Sequence, residues 1–180
     1  MNTKRVEEWL AGARRVPSAN CDDRPKGTAV TLLVVHCISL PPGKFGGDSI
    51  ERFFTNRLDP DADPYFKGIR SMKVSAHFVV RRDGELLQFV PLAKRAWHAG
   101  VSSWRGRTRC NDFSVGVELE GTDDTRYAPA QYRRLRELVH VLRDTLPLRD
   151  VAAHSDVAPG RKTDPGAHFD WPRLLSALSN

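Results

Sequence analysis

The sequence predicts a single α/β domain in which a mixed β-sheet is flanked by helices. Three observations carry this expectation. Thr28 to Val35 is a Val- and Leu-rich run bounded by turn residues, the mark of a buried central strand. Ser75 to Val90 reads as an antiparallel hairpin, with two β-prone runs flanking Asp83-Gly84. Residues 129–146 carry an apolar stripe of helical period. Strand and helix signals that alternate, with one antiparallel pair among them, lead to one mixed sheet covered by helices. A length of 180 residues suits one domain, so residues 1–180 are read as one unit.

Taken in order, the first strand is expected to end at His36, before a Pro/Gly loop, LPPGKFGG. The amphipathic segment Ser49 to Phe54 follows, with Ser49 as the expected N-cap. The acidic stretch DPDADP at 59–64 looks like the tip of an insertion. After the hairpin, whose turn should be type I′, Phe113 to Gly121 alternates by twos. Phe113, Val115, Val117 and Leu119 point one way; Ser114, Gly116, Glu118 and Glu120 point the other. In the long helix Pro129 suits the first turn, and Tyr132, Leu135, Leu138, Val139, Leu142 and Leu146 form the inward stripe. Asp150 to Ala153 is a short strand ending at His154, 155–169 reads as irregular, and DWPRLLSAL closes the chain as a helix.

Lys and Arg number 28 against 22 Asp and Glu, a net charge of +6 with a pI near 9.5. That excludes an acidic disordered protein and leaves an acidic small substrate, nucleic acid or an anionic surface as partner. Arg133, Arg134, Arg136 and Arg143 share their helix with Glu137 and Asp144, which reads as a solvated face rather than a nucleic-acid interface. A mean hydropathy of -0.45 and the lack of a long apolar run exclude a membrane span. The first residues, MNTKRVEEWLAGARRVP, have no apolar core for a signal peptide, so the expected location is cytoplasmic. Cys21, Cys37 and Cys110 match no cysteine-based zinc module and are expected to be reduced thiols.

Strand ends that run into polar loops are where such domains place their chemistry. His36 and His154 sit at two of them, and Asp164 follows ten residues after His154. Two imidazoles and a carboxylate suit Zn²⁺, and three protein ligands leave a fourth position for water. His77 and His98 are rival imidazoles. His77, between Ala76 and Phe78 in a hairpin strand, reads as a hydrogen-bonded sheet histidine. Trp97 beside His98 suits a sugar or peptide groove, and both histidines are expected at the substrate cleft rather than on the metal. Arg109 is a candidate clamp for a substrate carboxylate. His140 and His168 carry no functional expectation. Alternation alone gives Glu118 and Glu120 the same facing and does not choose between them.

The stretches TLLVVHCISLPPGKFGG, VSAHFVVRRDGELLQFV, KRAWHAGVS, RCNDFSVGVELEGTD and HSDVAPGRKTDPGAHFDW resemble, in that order, the AmpD family. These are cytosolic zinc amidases of the amidase_2 group, with a fold shared by phage-type amidases and peptidoglycan recognition proteins. The resemblance runs from about Arg14 to Trp171. It implies zinc ligands at His36, His154 and Asp164, one zinc per chain, and catalytic roles for Glu118 and Lys162. It implies hydrolysis of the amide between the lactyl group of 1,6-anhydro-N-acetylmuramic acid and L-alanine in a small soluble muropeptide. Such a reaction serves peptidoglycan recycling and lowers the muropeptide pool that induces β-lactamase. The expected state is a monomer with no nucleic-acid or membrane partner. Cys37 departs from the family, which usually has Asn there. Alternatives are a non-catalytic recognition module, disfavoured because all three ligands are present with Glu118 and Lys162, and an amidase acting on intact cell wall.

Overall fold

The computed structural model describes residues 9–176 of the chain. In chain order the elements are β1 (Arg14–Arg15), β2 (Cys21–Asp23), β3 (Leu32–Ile38), α1 (Ser49–Phe54), α2 (Pro64–Ile69), β4 (Phe78–Val80), β5 (Leu86–Gln88), β6 (Lys94–Ala96), β7 (Ser103–Trp104), β8 (Arg107–Thr108), a 3₁₀ turn (Cys110–Phe113), β9 (Ser114–Glu120), α3 (Pro129–Thr145), β10 (Asp150–Ala153), α4 (His154–Val157) and α5 (Trp171–Leu175). Six strands form one sheet in the order β1-β5-β4-β9-β3-β10. All neighbours are parallel except β4 and β5, the hairpin, so the sheet is mixed and helices cover it.

The strands β3 and β9 lie at the centre, paired over seven residues. Their alternate side chains divide the interior. Leu33, Val35, Val115, Val117 and Leu119 pack with Tyr132, Leu135, Leu138, Val139 and Leu142 of α3. Burying each such side chain contributes roughly 1.5–3 kcal/mol before the entropy of ordering is set against it. Gln131 ties α3 to the sheet, because its buried amide donates to the carbonyls of Val80 and Glu120. Its oxygen accepts from the Ala128 N–H and caps the helix start. On the opposite face Ile50, Phe53 and Phe54 of α1 and Phe66 of α2 pack against Val79 and Leu87. Leu32, Val34, Ala152, Phe113 and Val157 make a third cluster beside them.

Several local expectations change. His36 lies within β3, which continues to Ile38, because pairing with β9 carries the ladder past it. Asp48 rather than Ser49 is the N-cap of α1. The acidic insertion leads into α2, whose start Asp63 caps by accepting from the Tyr65 N–H. The hairpin turn is not type I′: Gly84 N–H donates to Arg81, Arg81 N–H to Glu85, and only Gly84 takes a positive φ, 91°. This is a three-residue loop with Gly at its left-handed position. The stretch 155–169 begins as the helical turn α4. The last residues of DWPRLLSAL lie outside the described residues.

Candidate metal centre and active site

The register of the sheet assembles the site. His36 is the cross-strand partner of Glu118, and Ala153 is the partner of Val35. The chain then turns at once into α4, so His154 comes up beside His36. The return loop brings Asp164 back, held by a hydrogen bond from Ser155 N–H to the Asp164 carbonyl at 3.0 Å. These side chains line a cavity of about 440 Å³ together with Phe53, Phe54, Val74 and Trp97.

Three ligand atoms converge. His36 Nδ1 lies 2.9 Å from His154 Nδ1 and 3.2 Å from Asp164 Oδ2, and His154 Nδ1 lies 3.0 Å from that oxygen. The far nitrogen of His154 faces the Ala99 carbonyl at 3.3 Å, which requires an N–H there. Its Nδ1 therefore turns a lone pair toward a carboxylate. Burial pushes His36 down to about 4, so it is neutral near pH 7. Two lone pairs and an anion aimed at one point are mutually repulsive until a cation joins them. The donor set of two nitrogens and one oxygen fits Zn²⁺.

Glu118 lies beside this cluster. Burial, reinforced by the charge of Asp164, raises its carboxyl well above the ordinary value. Its Oε2 is buried with no hydrogen-bond partner. Glu120 is different. It accepts from Gly46 N–H at 2.6 Å and Arg82 N–H at 3.1 Å, and faces Arg81 at 3.4 Å. The two carboxylates that strand alternation leaves equivalent are thus distinct: one is held by loop and hairpin, the other opens on the cavity.

Lys162 and Trp97 line the cavity as well. Two expected cleft residues do not. His77 is fully buried, with Nδ1 accepting from Gly116 N–H and Nε2 at 3.0 Å from Arg24. Burial and that neighbouring guanidinium push it down to about 3. The cause of the misplacement is Arg24, brought in from 53 residues away. Arg109 takes a left-handed conformation, φ 62°, pairs with Asp112 at 3.2 Å and stays outside the cavity lining. His98 reaches the cavity wall, but both its ring nitrogens are engaged, with His36 and with Ser114.

Cys37 packs against the α3-side core, as strand alternation requires, and also reaches the cavity, where it donates to Asp123 at 3.3 Å. Burial raises its thiol far above the ordinary value, so it stays protonated. All three cysteines are free thiols. Sequence reasoning missed Asp123 and Thr163, which line the cavity and hydrogen-bond to each other across 40 residues. The polar loop after β9 was the available signal for Asp123.

Comparison with known proteins agrees with this geometry. The N-acetylmuramoyl-L-alanine amidase family, Amidase_2, matches residues 26–167. The 1,6-anhydro-N-acetylmuramyl-L-alanine amidase AmpD of Escherichia coli K12 is 56% identical over 173 residues, covering 95% of this chain and 94% of that protein. The crystal structure of a selenomethionine AmpD derivative superposes with a TM-score of 0.93 at 55% identity, covering 95% of this chain and 97% of the other. The amidase AmiD from E. coli, solved with anhydro-N-acetylmuramic acid-L-Ala-D-γ-Glu-L-Lys, gives 0.62 at 28% identity, covering 86% of this chain and 60% of that one. With the match spanning most of its length and the sheet shared throughout, this chain belongs to the Amidase_2 family of N-acetylmuramoyl-L-alanine amidases.

Proposed function

We propose that this chain is a zinc-dependent amidase of recycled muropeptides. It cleaves the bond between the lactyl group of 1,6-anhydro-N-acetylmuramic acid and L-alanine. The observation that carries the reading is the convergence of His36, His154 and Asp164 next to the unpartnered Oε2 of Glu118 in one cavity. The similarity to AmpD over nearly the whole chain supports the anhydro substrate, and the AmiD complex supports a cavity that takes a sugar bearing a short peptide.

Amide hydrolysis needs a nucleophile, a stabilised oxyanion and a proton for the leaving amine. His36, His154 and Asp164 would hold the zinc, which when bound would supply Lewis acidity and a water acidified to a pKa of about 7. Glu118 Oε2 takes the nucleophile's proton and delivers it to the departing nitrogen of L-alanine. Its raised pKa suits both halves of that transfer, since an ordinary carboxylate is too weak a base. The Lys162 ammonium stabilises the charge that develops on the carbonyl oxygen. Trp97 offers an aromatic face to the sugar, and Phe53 and Phe54 exclude water from the cavity wall.

The same reading places the protein in the cytosol as a monomer that lowers the β-lactamase-inducing muropeptide pool. No described helix is long and apolar enough to cross a membrane. The test is mass spectrometry of anhydro-N-acetylmuramyl tripeptide incubated with zinc-loaded protein. Free tripeptide should appear, cease with a chelator and return with zinc. Intact substrate in the zinc-replete sample overturns the assignment and favours a recognition module.

A further inference from the structure

The two imidazoles of the metal centre are held from behind by neighbouring residues of one short segment, Trp97 to Val101. His36 Nε2 meets His98 Nδ1 at 2.9 Å, and His154 Nε2 meets the carbonyl of Ala99 at 3.3 Å. That segment is itself fixed. Asn111 Oδ1 accepts from the N–H groups of His98 and Ala99, at 3.2 and 2.8 Å. Arg161 donates to the carbonyls of Ala99 and Val101, at 2.5 and 2.7 Å. His98 passes its contact on, with Nε2 at 3.2 Å from Ser114 Oγ. Gly116 makes room for the ring: a Cβ there would stand 2.5 Å from His98 Cγ.

We propose that His98 is a positioning residue that fixes the tautomer and ring orientation of His36, while the Ala99 carbonyl does the same for His154. The proton logic is closed. A ligand that offers Nδ1 must carry its proton on Nε2. His36 Nε2–H then donates to His98 Nδ1, so His98 carries its own proton on Nε2 and donates it to Ser114. A histidine committed on both nitrogens has none left for substrate. Its edge at the cavity wall is a consequence of standing behind a ligand. Partners of this kind raise ligand basicity, and removing one typically weakens metal binding by about 10- to 100-fold.

The inference rests on the zinc reading of the triad, and the experiment separates the two. In wild-type zinc-loaded protein, long-range ¹⁵N–¹H NMR should show His36 and His98 both protonated on Nε2, with His98 Nδ1 bare. A His98 proton on Nδ1 overturns the proposal without any variant. By chelator competition, His98→Leu should weaken zinc binding about 10- to 100-fold, and His98→Gln, which restores an acceptor, should recover most of it. Equal zinc affinity in folded His98→Leu and wild type overturns the positioning role alone. Failure of the wild type to take up zinc overturns the triad reading and this inference with it.

Discussion

The α3-covered face of the sheet and the face that carries the cavity are made from alternate residues of the same two central strands. On the α3 side, Leu33, Val35, Val115, Val117 and Leu119 pack in one apolar cluster. Across the sheet, one residue further along each strand, stand His36, Gly116 and Glu118. One face holds its shape by packing, so each residue there serves the whole fold. The other keeps polar groups buried beside a cavity, where each is either satisfied by a named partner or left open toward a ligand. Stability and chemistry are thereby separable at single-residue resolution.

Four measurements probe that separation. Asp164→Ala should abolish zinc uptake and tripeptide release together, read by metal analysis and mass spectrometry, while circular dichroism keeps the native fold. Loss of the fold instead would show that the carboxylate belongs to the scaffold. Glu118→Ala should keep zinc and lower turnover by about 10²- to 10⁴-fold, the usual worth of a positioned acid–base group. Loss of metal in that variant would mean that Glu118 helps to hold the ion. On the helix side, Leu135→Ala should cost about 2–5 kcal/mol in urea denaturation and leave zinc affinity unchanged.

Acid should tilt stability in a way that truncating the core does not. His77 is buried neutral, with its pKa near 3 against an ordinary 6.5. Between those values the unfolded chain binds the extra proton, so stability is full above about 6.5 and falls as the pH drops. The slope is about 1.4 kcal/mol per pH unit for each such histidine. His77→Gln should lessen the tilt of the denaturation midpoint between pH 6.5 and 5, leaving the part due to the buried His36 and His98, whereas Leu135→Ala should lower the curve without tilting it. An unchanged tilt in His77→Gln would assign the acid sensitivity to other groups.

The same division explains what the sequence disclosed. β3 is legible as an unbroken apolar run, the hairpin by its β-prone runs about Asp83-Gly84, and β9 and α3 by a two-residue and a helical period. β1, β2 and β6 to β8 span two or three residues each, too few to show a period, and α4 is a single turn. Residue types pointed to His36, His154 and Asp164, but the strand register that joins them lies in pairings across the chain. Those same long-range pairings hide Arg24 behind His77, whereas a local pair three residues apart holds Arg109 to Asp112. Long-range pairings also separate Glu118 from Glu120, since the partners of Glu120 come from the loop before α1 and from the hairpin turn.

The pairing of His36 with Glu118 sets one dimension of this enzyme by backbone alone. Adjacent strands stand about 4.8 Å apart whatever side chains they carry. The offset between the proposed metal ligand and the proposed proton carrier is therefore set by the hydrogen-bonded ladder. Phe53, Phe54 and Trp97 come from segments outside that ladder. Substitutions there would reshape the cavity wall and leave the strand spacing between His36 and Glu118 intact.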